Sequence, residues 1–233
     1  MKAVILIPAR WASTRFPGKP LAMIAGVSLI QRVYERAKQA RRANAIFVAT
    51  DDQRIADHVA SFGGKAVQPK GDFHSGTDRI AAAVDLLGED FDRVINVQGD
   101  EPLIDPRGID DVVDALEGSD MATLACPIGG EEELRARDIV KVVTKLDGAA
   151  LYFSREPLPG ASRHIGLYGY QTRVLRALAK LEPSPLERAE SLEQLRALQN
   201  GFRIQVLHTR KPHLGVDRPE DVLRVEQELA KHG

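Results

Sequence analysis

Short apolar runs alternate with amphipathic stretches along the first half of the chain. The apolar runs cover residues 3–7, 45–49, 94–97 and, more weakly, 121–125. Runs that stay apolar on both sides are typical of strands buried on both faces of a parallel sheet. The stretches between them have helical periodicity, over residues 28–41, 53–62, 76–87 and 106–116. Strand alternating with helix predicts a parallel α/β sheet over about the first 125 residues.

The pattern changes after residue 125. Residues 139–146 and 164–170 look like strands with no long helix between them, which indicates an antiparallel or mixed extension of the sheet. Residues 184–187 combine a capping box with a proline and predict a helix to about Gln199. A strand over 202–208 and an amphipathic helix over 218–231 follow. We therefore predict one α/β domain over residues 1–233, with a mostly parallel central sheet flanked by helices.

Composition excludes some classes of function. The 32 basic and 33 acidic residues give a net charge of −1, unlike the basic footprint of a nucleic-acid binder. No stretch approaches the roughly 20 apolar residues of a membrane span, and the run before Pro8 is too short for a signal peptide. The single cysteine, Cys126, excludes an intramolecular disulfide, and we expect it to be a buried strand residue. We expect a cytoplasmic protein without membrane insertion.

The loop over residues 8–20 concentrates cations and hydroxyl groups. It leaves the carboxyl end of the first predicted strand, where open α/β sheets bind ligands. Arginine and lysine side chains there could neutralise a triphosphate by charge-assisted hydrogen bonds. The loop is not a Walker A motif, because Pro20 follows Gly18-Lys19. A solvated basic loop is the alternative. Its polar residues include Arg10, Ser13, Thr14, Arg15 and Lys19.

Adjacent carboxylates follow the strand over residues 94–97. Asp100 and Glu101 come directly after Gly99, at the predicted strand end. Magnesium takes one or two carboxylates and completes its shell with phosphate oxygens and water. Asp217, just ahead of the last predicted helix, is the candidate second ligand, and helix capping is its alternative role. A strand-end turn with solvated acids remains the alternative for Asp100.

Other polar residues could contact a ligand or serve the structure alone. Ser75 and Thr77 look like helix-start residues, while the Gly76 backbone could approach a nucleotide and Arg79 could reach its phosphate or sugar. Arg155, His164 and Tyr168 offer partners for an acidic, hydroxylated substrate. On the predicted 185–199 helix, one row could line a sugar pocket or form a solvated face. That row consists of Glu187, Glu190 and Gln194.

Together these segments resemble the 3-deoxy-manno-octulosonate (KDO) cytidylyltransferase family. The similarity runs in order from the first strand to the last helix. It covers residues 7–10, 13–15, 17–20, 48–51, 75–79, 97–102, 150–155, 164–168, 192–196, 215–217 and 219–221. One departure is the short segment between Pro159 and Arg163, where family members usually carry a longer polar stretch near the sugar site and the dimer contact.

The resemblance implies a nucleotide-diphosphosugar transferase fold, a homodimer and dependence on Mg²⁺. The implied reaction joins CMP from CTP to KDO, giving CMP-KDO and pyrophosphate for lipopolysaccharide biosynthesis. Residues 1–125 would form the nucleotide-binding half, and residues 126–233 the sugar-binding and dimerisation half. An 8-amino analogue of KDO or a sialic acid is an alternative substrate, and a CTP sensor without turnover is an alternative of another class.

The resemblance also implies roles for single residues. Arg10, Lys19 and Asp100 would be catalytic, and Asp100 and Asp217 would bind magnesium. The nucleotide would contact Pro8, Ala9, Arg10, Ser13, Arg15, Lys19, Ser75, Gly76, Thr77 and Arg79. The sugar would contact Gln98, Arg155, His164, Tyr168, Glu193 and Gln194. We expect in-line attack by the anomeric hydroxyl on the α-phosphorus, with no obvious side chain as general base.

Overall fold

In the computed structural model, which describes residues 1–12, 16–71, 73, 75–210 and 214–231, one nine-stranded sheet runs through the molecule beside a small two-stranded one. The strands are β1 (Ala3–Pro8), β2 (Met23–Ile24), β3 (Val27–Ser28), β4 (Ala45–Ala49), β5 (Ala66–Val67), β6 (Arg93–Val97), β7 (Met121–Cys126), β8 (Lys141–Thr144), β9 (Ala150–Ser154), β10 (Ser162–Gln171) and β11 (Ile204–His208).

Helices cover both faces of the large sheet. They are α1 (Leu29–Ala37), α2 (Gln53–Ser61), α3 (Gly76–Leu86), α4 (Pro106–Ala115), α5 (Glu131–Arg135), α6 (Thr172–Leu178), α7 (Pro185–Glu190), α8 (Gln194–Gln199) and α9 (Pro219–Ala230). In the part of the chain described here, none of them is long and apolar enough to cross a membrane.

The central sheet is mostly parallel, as predicted. Strand β1 pairs in parallel with β4 and β6, and β4 pairs in parallel with β5. Strand β10 lies between β6 and β7 and runs antiparallel to both. The second half of the chain therefore inserts a strand into the sheet of the first half, which confirms the predicted mixed topology. Strand β11 completes that edge in parallel with β7.

Both faces of the sheet are buried, because successive residues of β1 enter different cores. Ile5 and Ile7 pack on the face covered by α1, α4 and α9, whereas Val4 and Leu6 pack beneath α3 and α6. Cys126 is buried at the end of β7, as expected. The apolar runs lacked alternation for this reason: each strand side chain has a helix-covered core to enter.

The single helix predicted over residues 185–199 is wrong only in its continuity: it begins and ends as predicted, but the chain breaks at Ser191. The predicted capping box is present at Ser184 and Glu187, but α7 ends at Glu190 and Ser191 adopts a φ of 54°. The break lets Leu192 enter the core while the Glu190 carboxylate reaches β9. Glu187, Glu190 and Gln194 therefore do not form a row on one helix face.

A hairpin of β8 and β9 was only half predicted. The strand expected over residues 139–146 is confined to Lys141–Thr144, and its partner Ala150–Ser154 was not predicted. The turn between them contains Asp147-Gly148, with Gly148 at a φ of 79°. An Asp-Gly pair between two apolar runs is a strong hairpin signal, so the sequence did contain the information.

A buried ion pair joins α7 to α8 across the break. The Arg196 guanidinium donates to both Glu187 oxygens, at 2.8 and 2.6 Å, and both residues are less than a tenth exposed. Glu187→Gln should lower the free energy of unfolding by about 3 kcal/mol, because it leaves a buried guanidinium without its counter-charge. Urea unfolding followed by circular dichroism measures this value.

The matched control is Asp147→Asn, which removes the charge from an exposed pair with Arg203. That change should lower the free energy of unfolding far less than Glu187→Gln, because solvent screens exposed ion pairs. An equal loss of unfolding free energy in the two variants would show that the buried pair stabilises the fold no more than the exposed one.

Candidate functional site

Two cavities open at the carboxyl ends of β1 and β6, and they share part of their walls. The smaller one, about 190 Å³, lies against the N-terminal loop and the start of α3. The larger one, about 800 Å³, lies between β10, the α7–α8 break and the segment before α9. The shared residues are Gly76, Gln98, Asp100 and Asp217. Molecules bound in the two cavities would meet at the acidic end of β6.

The N-terminal loop is fixed at both ends. The Ala9 amide donates to the Ala49 carbonyl at 2.9 Å, and the Gly18 amide donates to the Trp11 carbonyl at 3.2 Å. The Arg54 guanidinium lies 3.5 Å above the Trp11 ring. Pro8, Ala9 and the exposed Arg10 line the smaller cavity. Two predicted nucleotide contacts, Ser13 and Arg15, lie outside the described residues.

Lys19 lies at the junction of the two cavities. Its ammonium donates to Asp100 Oδ2 at 2.8 Å and to the Val216 carbonyl at 2.9 Å, and it lies 3.8 Å from Asp217 Oδ1. One cation thus brings together the loop, the end of β6 and the segment before α9. Asp217 does not cap that helix, because the cap position belongs to Arg218.

Gly99 allows this junction to form. A Cβ atom at residue 99 would lie 2.8 Å from the Pro8 carbonyl oxygen, closer than real side chains approach. The ends of β1 and β6 can therefore lie side by side only with glycine here. This close approach brings Asp100 to Lys19.

The first turn of α3 faces the smaller cavity. Ser75 caps the helix and accepts from the Asp78 amide at 3.1 Å, as predicted for a helix-start residue. Gly76 and Arg79 also line this cavity. Nη2 of Arg79 donates a hydrogen bond to Asp51 Oδ2 at 3.0 Å, while the buried Nη1 of the same guanidinium has no partner among the described residues. That atom is a donor available to a bound anion.

Thr77 points to the larger cavity instead of capping the helix. Its hydroxyl donates to Glu193 Oε2 at 2.6 Å. Burial raises the pKa of Glu193, and the charge of Asp78 adds to this effect, although the hydrogen bond from Thr77 opposes it. The neighbouring Gln194 is buried, and its Nε2 has no partner in the described part of the chain.

Aromatic and polar side chains of β10 form one wall of the larger cavity. The rings of His164 and Tyr168 lie 5.3 Å apart, and Phe153 packs edge-on against His164 at 5.1 Å. Burial lowers the pKa of His164 to about 3, so the ring is neutral at pH 7. Gln98 reaches this cavity beside Asn96, to which its amide donates at 3.3 Å.

Glu190 holds Arg155 in place, a role that the sequence did not reveal. Its carboxylate accepts from the Arg155 amide at 2.9 Å and from the Ser154 hydroxyl at 2.8 Å, and its carbonyl accepts from Arg155 Nε at 3.1 Å. Burial disfavours the charged carboxylate, but hydrogen bonds from Arg155, Ser154 and Tyr152 outweigh it and hold the pKa of Glu190 below its usual range.

The structure thus brings the predicted site residues into two groups. Pro8, Ala9, Arg10, Lys19, Ser75, Gly76 and Arg79 line the smaller cavity, with Asp100 and Asp217 at its junction. Gln98, Arg155, His164, Tyr168, Glu193, Gln194 and Thr77 line the larger one. Such a sheet, with a basic loop after its first strand and an acidic end on its central strand, fits the nucleotidyltransferase fold that the resemblance implies.

Comparison with known proteins identifies the family. Residues 4–204 match the cytidylyltransferase family model, and the chain belongs to the cytidylyltransferase family. A 3-deoxy-manno-octulosonate cytidylyltransferase of Syntrophotalea carbinolica is 48% identical, over 98% of this chain and 99% of its own. An 8-amino-3,8-dideoxy-manno-octulosonate cytidylyltransferase of Shewanella frigidimarina is 47% identical, over 99% of both chains. The resemblance to KDO cytidylyltransferases is confirmed.

A solved structure shows the same fold. It is a CMP:2-keto-3-deoxy-manno-octonic acid synthetase in complex with CTP, 39% identical to this chain. The two superpose with a TM-score of 0.94, over 100% of both chains. The predicted α/β architecture of the whole chain is therefore confirmed.

The depressed pKa of Glu190 predicts a dependence of stability on pH. When folding lowers the pKa of a carboxyl group, the group stabilises the protein at pH values above its pKa in the unfolded state. This stabilisation is lost as pH falls through the pKa of the group in the folded state. Glu190→Gln should therefore lower the free energy of unfolding most at pH 7. The difference from the original protein should narrow below about pH 4.5, the ordinary value for glutamate. Urea unfolding from pH 3 to 7 measures it.

The control is Glu182→Gln, at an exposed glutamate ahead of α7. The free energy of unfolding of this variant should stay close to that of the original protein across the same pH range. If Glu190→Gln lowered the free energy of unfolding by the same amount at every pH, the hydrogen bonds assigned to the Glu190 carboxylate would be contradicted.

Proposed function

We propose that this chain transfers CMP from CTP to KDO, producing CMP-KDO and pyrophosphate for lipopolysaccharide biosynthesis. The observation that carries the proposal is that a cation-lined cavity and a larger polar cavity share Asp100 and Asp217. The names of the relatives and the CTP bound in the solved homologue support the choice of substrates. A homodimer in the cytoplasm is part of the same proposal, on the strength of the family resemblance.

The smaller cavity would hold the triphosphate. Arg10 and the free Nη1 of Arg79 supply donors to phosphate oxygens, and the start of α3 contributes main-chain N–H groups and the positive end of its dipole. The net charge of the chain is close to zero, so this local concentration of donors must do the neutralising. The smaller cavity is thus suited to a nucleotide and the larger one to its acceptor.

Asp100 and Asp217 suit a magnesium ion. Both carboxylates already approach one cation, the Lys19 ammonium. Magnesium takes one or two carboxylates and fills its shell with phosphate oxygens and water, and these two side chains would supply the protein's share. When bound, Mg²⁺ would neutralise charge on the triphosphate.

Lys19 has two uses at this junction. Its ammonium competes with a metal for Asp100, so it would turn to the phosphates when the carboxylates take the metal. There it would stabilise the charge that grows on pyrophosphate as the bond between the α- and β-phosphates breaks. The new bond joins the anomeric oxygen of KDO to the α-phosphorus, and the hydroxyl proton leaves to solvent. The chain's contribution is positioning and charge neutralisation.

The larger cavity would hold the sugar acid. Arg155, fixed by Glu190, would bind its carboxylate, while His164, Tyr168 and Gln194, which line the same cavity, would face its hydroxyl groups. The relative named for the 8-amino sugar is almost as similar as the one named for KDO. Activation of 8-amino-KDO is therefore the second candidate function.

Pyrophosphate release with CTP and each of KDO, 8-amino-KDO and a sialic acid tests the proposal. We expect the highest kcat/KM with KDO. A preference for 8-amino-KDO would support the second candidate, and a preference for the sialic acid would contradict both. CTP binding without turnover of any sugar would show a sensor and overturn the enzymatic proposal.

Asp100→Asn tests the metal role in the same assay. We expect kcat at saturating Mg²⁺ to fall at least about a hundredfold, since charge stabilisation by a metal is worth several kcal/mol. The remote variant Asp147→Asn should keep kcat within about twofold, as expected for an exposed charge. Near-normal turnover of Asp100→Asn would refute the metal role.

Tryptophan fluorescence tests the role of the loop. Trp11 is the only tryptophan of the chain and lies in the loop itself, so its emission should change when CTP binds. Arg10→Met should raise the Kd for CTP about tenfold, the cost of one charge-assisted hydrogen bond. Arg42→Met, at an exposed arginine paired with Asp114, is the matched control. Equal affinity of the two variants would exclude Arg10 from CTP binding.

A further inference from the structure

Strand β10 is irregular where it passes β7. Ile165 pairs with Leu124, but the next paired residue is Tyr168, which lies opposite Thr123. Residues 166–167 are therefore extra residues on β10 at this point. Irregularities of this kind re-aim side chains and are frequent next to active sites. This one lies in the wall of the larger cavity, beneath His164.

The hydroxyl of Thr123 occupies the irregular region. It lies 2.8 Å from the Leu167 carbonyl oxygen, 3.3 Å from that of Ile165 and 3.0 Å from Nε2 of His164. Thr123 is fully buried, so these groups are its hydrogen-bonding environment within the described chain. The hydroxyl therefore has to satisfy two carbonyl acceptors and one ring nitrogen.

Counting donors settles the direction of these bonds. A threonine hydroxyl has one proton to donate, and a carbonyl oxygen can only accept. The proton goes to the carbonyl of Leu167, which makes the shorter contact. The contact with His164 then requires the ring to donate, because a lone pair of Thr123 faces it. Nε2 of His164 therefore carries a proton.

The other ring nitrogen is left as an acceptor. A neutral imidazole has a single N–H, and burial keeps this ring neutral by lowering its pKa to about 3. With the proton on Nε2, Nδ1 has a lone pair. No group in the described chain donates to Nδ1, and the ring lines the larger cavity. This lone pair is available to a molecule bound there.

We propose that Thr123 is a positioning residue that holds His164 in the Nε2–H tautomer and so presents Nδ1 to the substrate as a hydrogen-bond acceptor. Arg155 and the free amide nitrogen of Gln194 offer donors in the same cavity, suited to a carboxylate and to oxygen lone pairs. His164 adds an acceptor for a hydroxyl hydrogen. The wall is therefore complementary to an acid that also carries hydroxyl groups. The identity of that acid rests on the proposed function, but the tautomer does not.

Nuclear magnetic resonance of ¹⁵N-histidine-labelled protein tests the tautomer directly. The chain has six histidines, and the spectrum of a His164→Gln variant assigns the signals of this ring. Long-range ¹H–¹⁵N correlations at pH 7.5 should show a protonated Nε2 and an unprotonated Nδ1 for His164. A protonated Nδ1 in the original protein would overturn the proposal, whatever the enzyme's activity.

Two substitutions test the role of Thr123. Thr123→Val has nearly the same shape but no hydroxyl, and it should give a mixture of tautomers or the Nδ1–H form. Thr123→Ser keeps the hydroxyl and should keep the original tautomer. An unchanged tautomer in Thr123→Val would overturn the positioning role. If that variant does not fold, the spectra of the original protein and of Thr123→Ser still decide the proposal.

Kinetics then connect the tautomer to the substrate. In Thr123→Val the KM for the sugar acid should rise about tenfold, the cost of one mispaired hydrogen-bonding group, while the KM for CTP stays within about twofold. Thr123→Ser should restore the KM for the sugar. Equal rises in both KM values would indicate general damage and contradict the proposal. If the predicted tautomer is found but KDO is not turned over, the proposed function fails and the inference about Thr123 stands.

Discussion

The ammonium group of Lys19 joins the three parts of the chain on which the site depends. It lies between Asp100, Asp217 and the Val216 carbonyl, and so connects the N-terminal loop, the end of β6 and the segment before α9. Two carboxylates this close would repel each other without a cation. The same geometry suits the two carboxylates to an exchange of cations, in which a phosphate-bound metal ion would replace the Lys19 ammonium.

The two cavities meet at this junction because of how the sheet is ordered. Parallel strands β1 and β6 deliver the basic loop and the acidic end to one edge, and Gly99 lets them approach. Strand β10 enters beside β6 in the opposite direction and brings His164 and Tyr168 to the same edge. The antiparallel strand thus brings one wall of the larger cavity beside the end of β6.

The sequence predicted what local rules determine. Apolar runs located the parallel strands, and capping residues located the starts of helices such as the one after Ser28. It did not predict the break at Ser191, because the Glu190 carboxylate there binds Ser154 of β9, a partner 36 residues away in the sequence. The sequence did not indicate a role for Thr123 either, because its contact with His164 depends on the irregular pairing of β10 with β7. The grouping of site residues into two cavities needed the fold.

The position of a bound divalent cation would show directly whether Asp100 and Asp217 hold a metal. Crystals grown with CTP and Mn²⁺, which scatters anomalously, would reveal where the metal binds. We expect an anomalous peak within coordination distance of Asp100 and Asp217, with the Lys19 ammonium turned to the phosphates. A metal bound away from both carboxylates, with Lys19 still paired to Asp100, would contradict the exchange proposed at this junction.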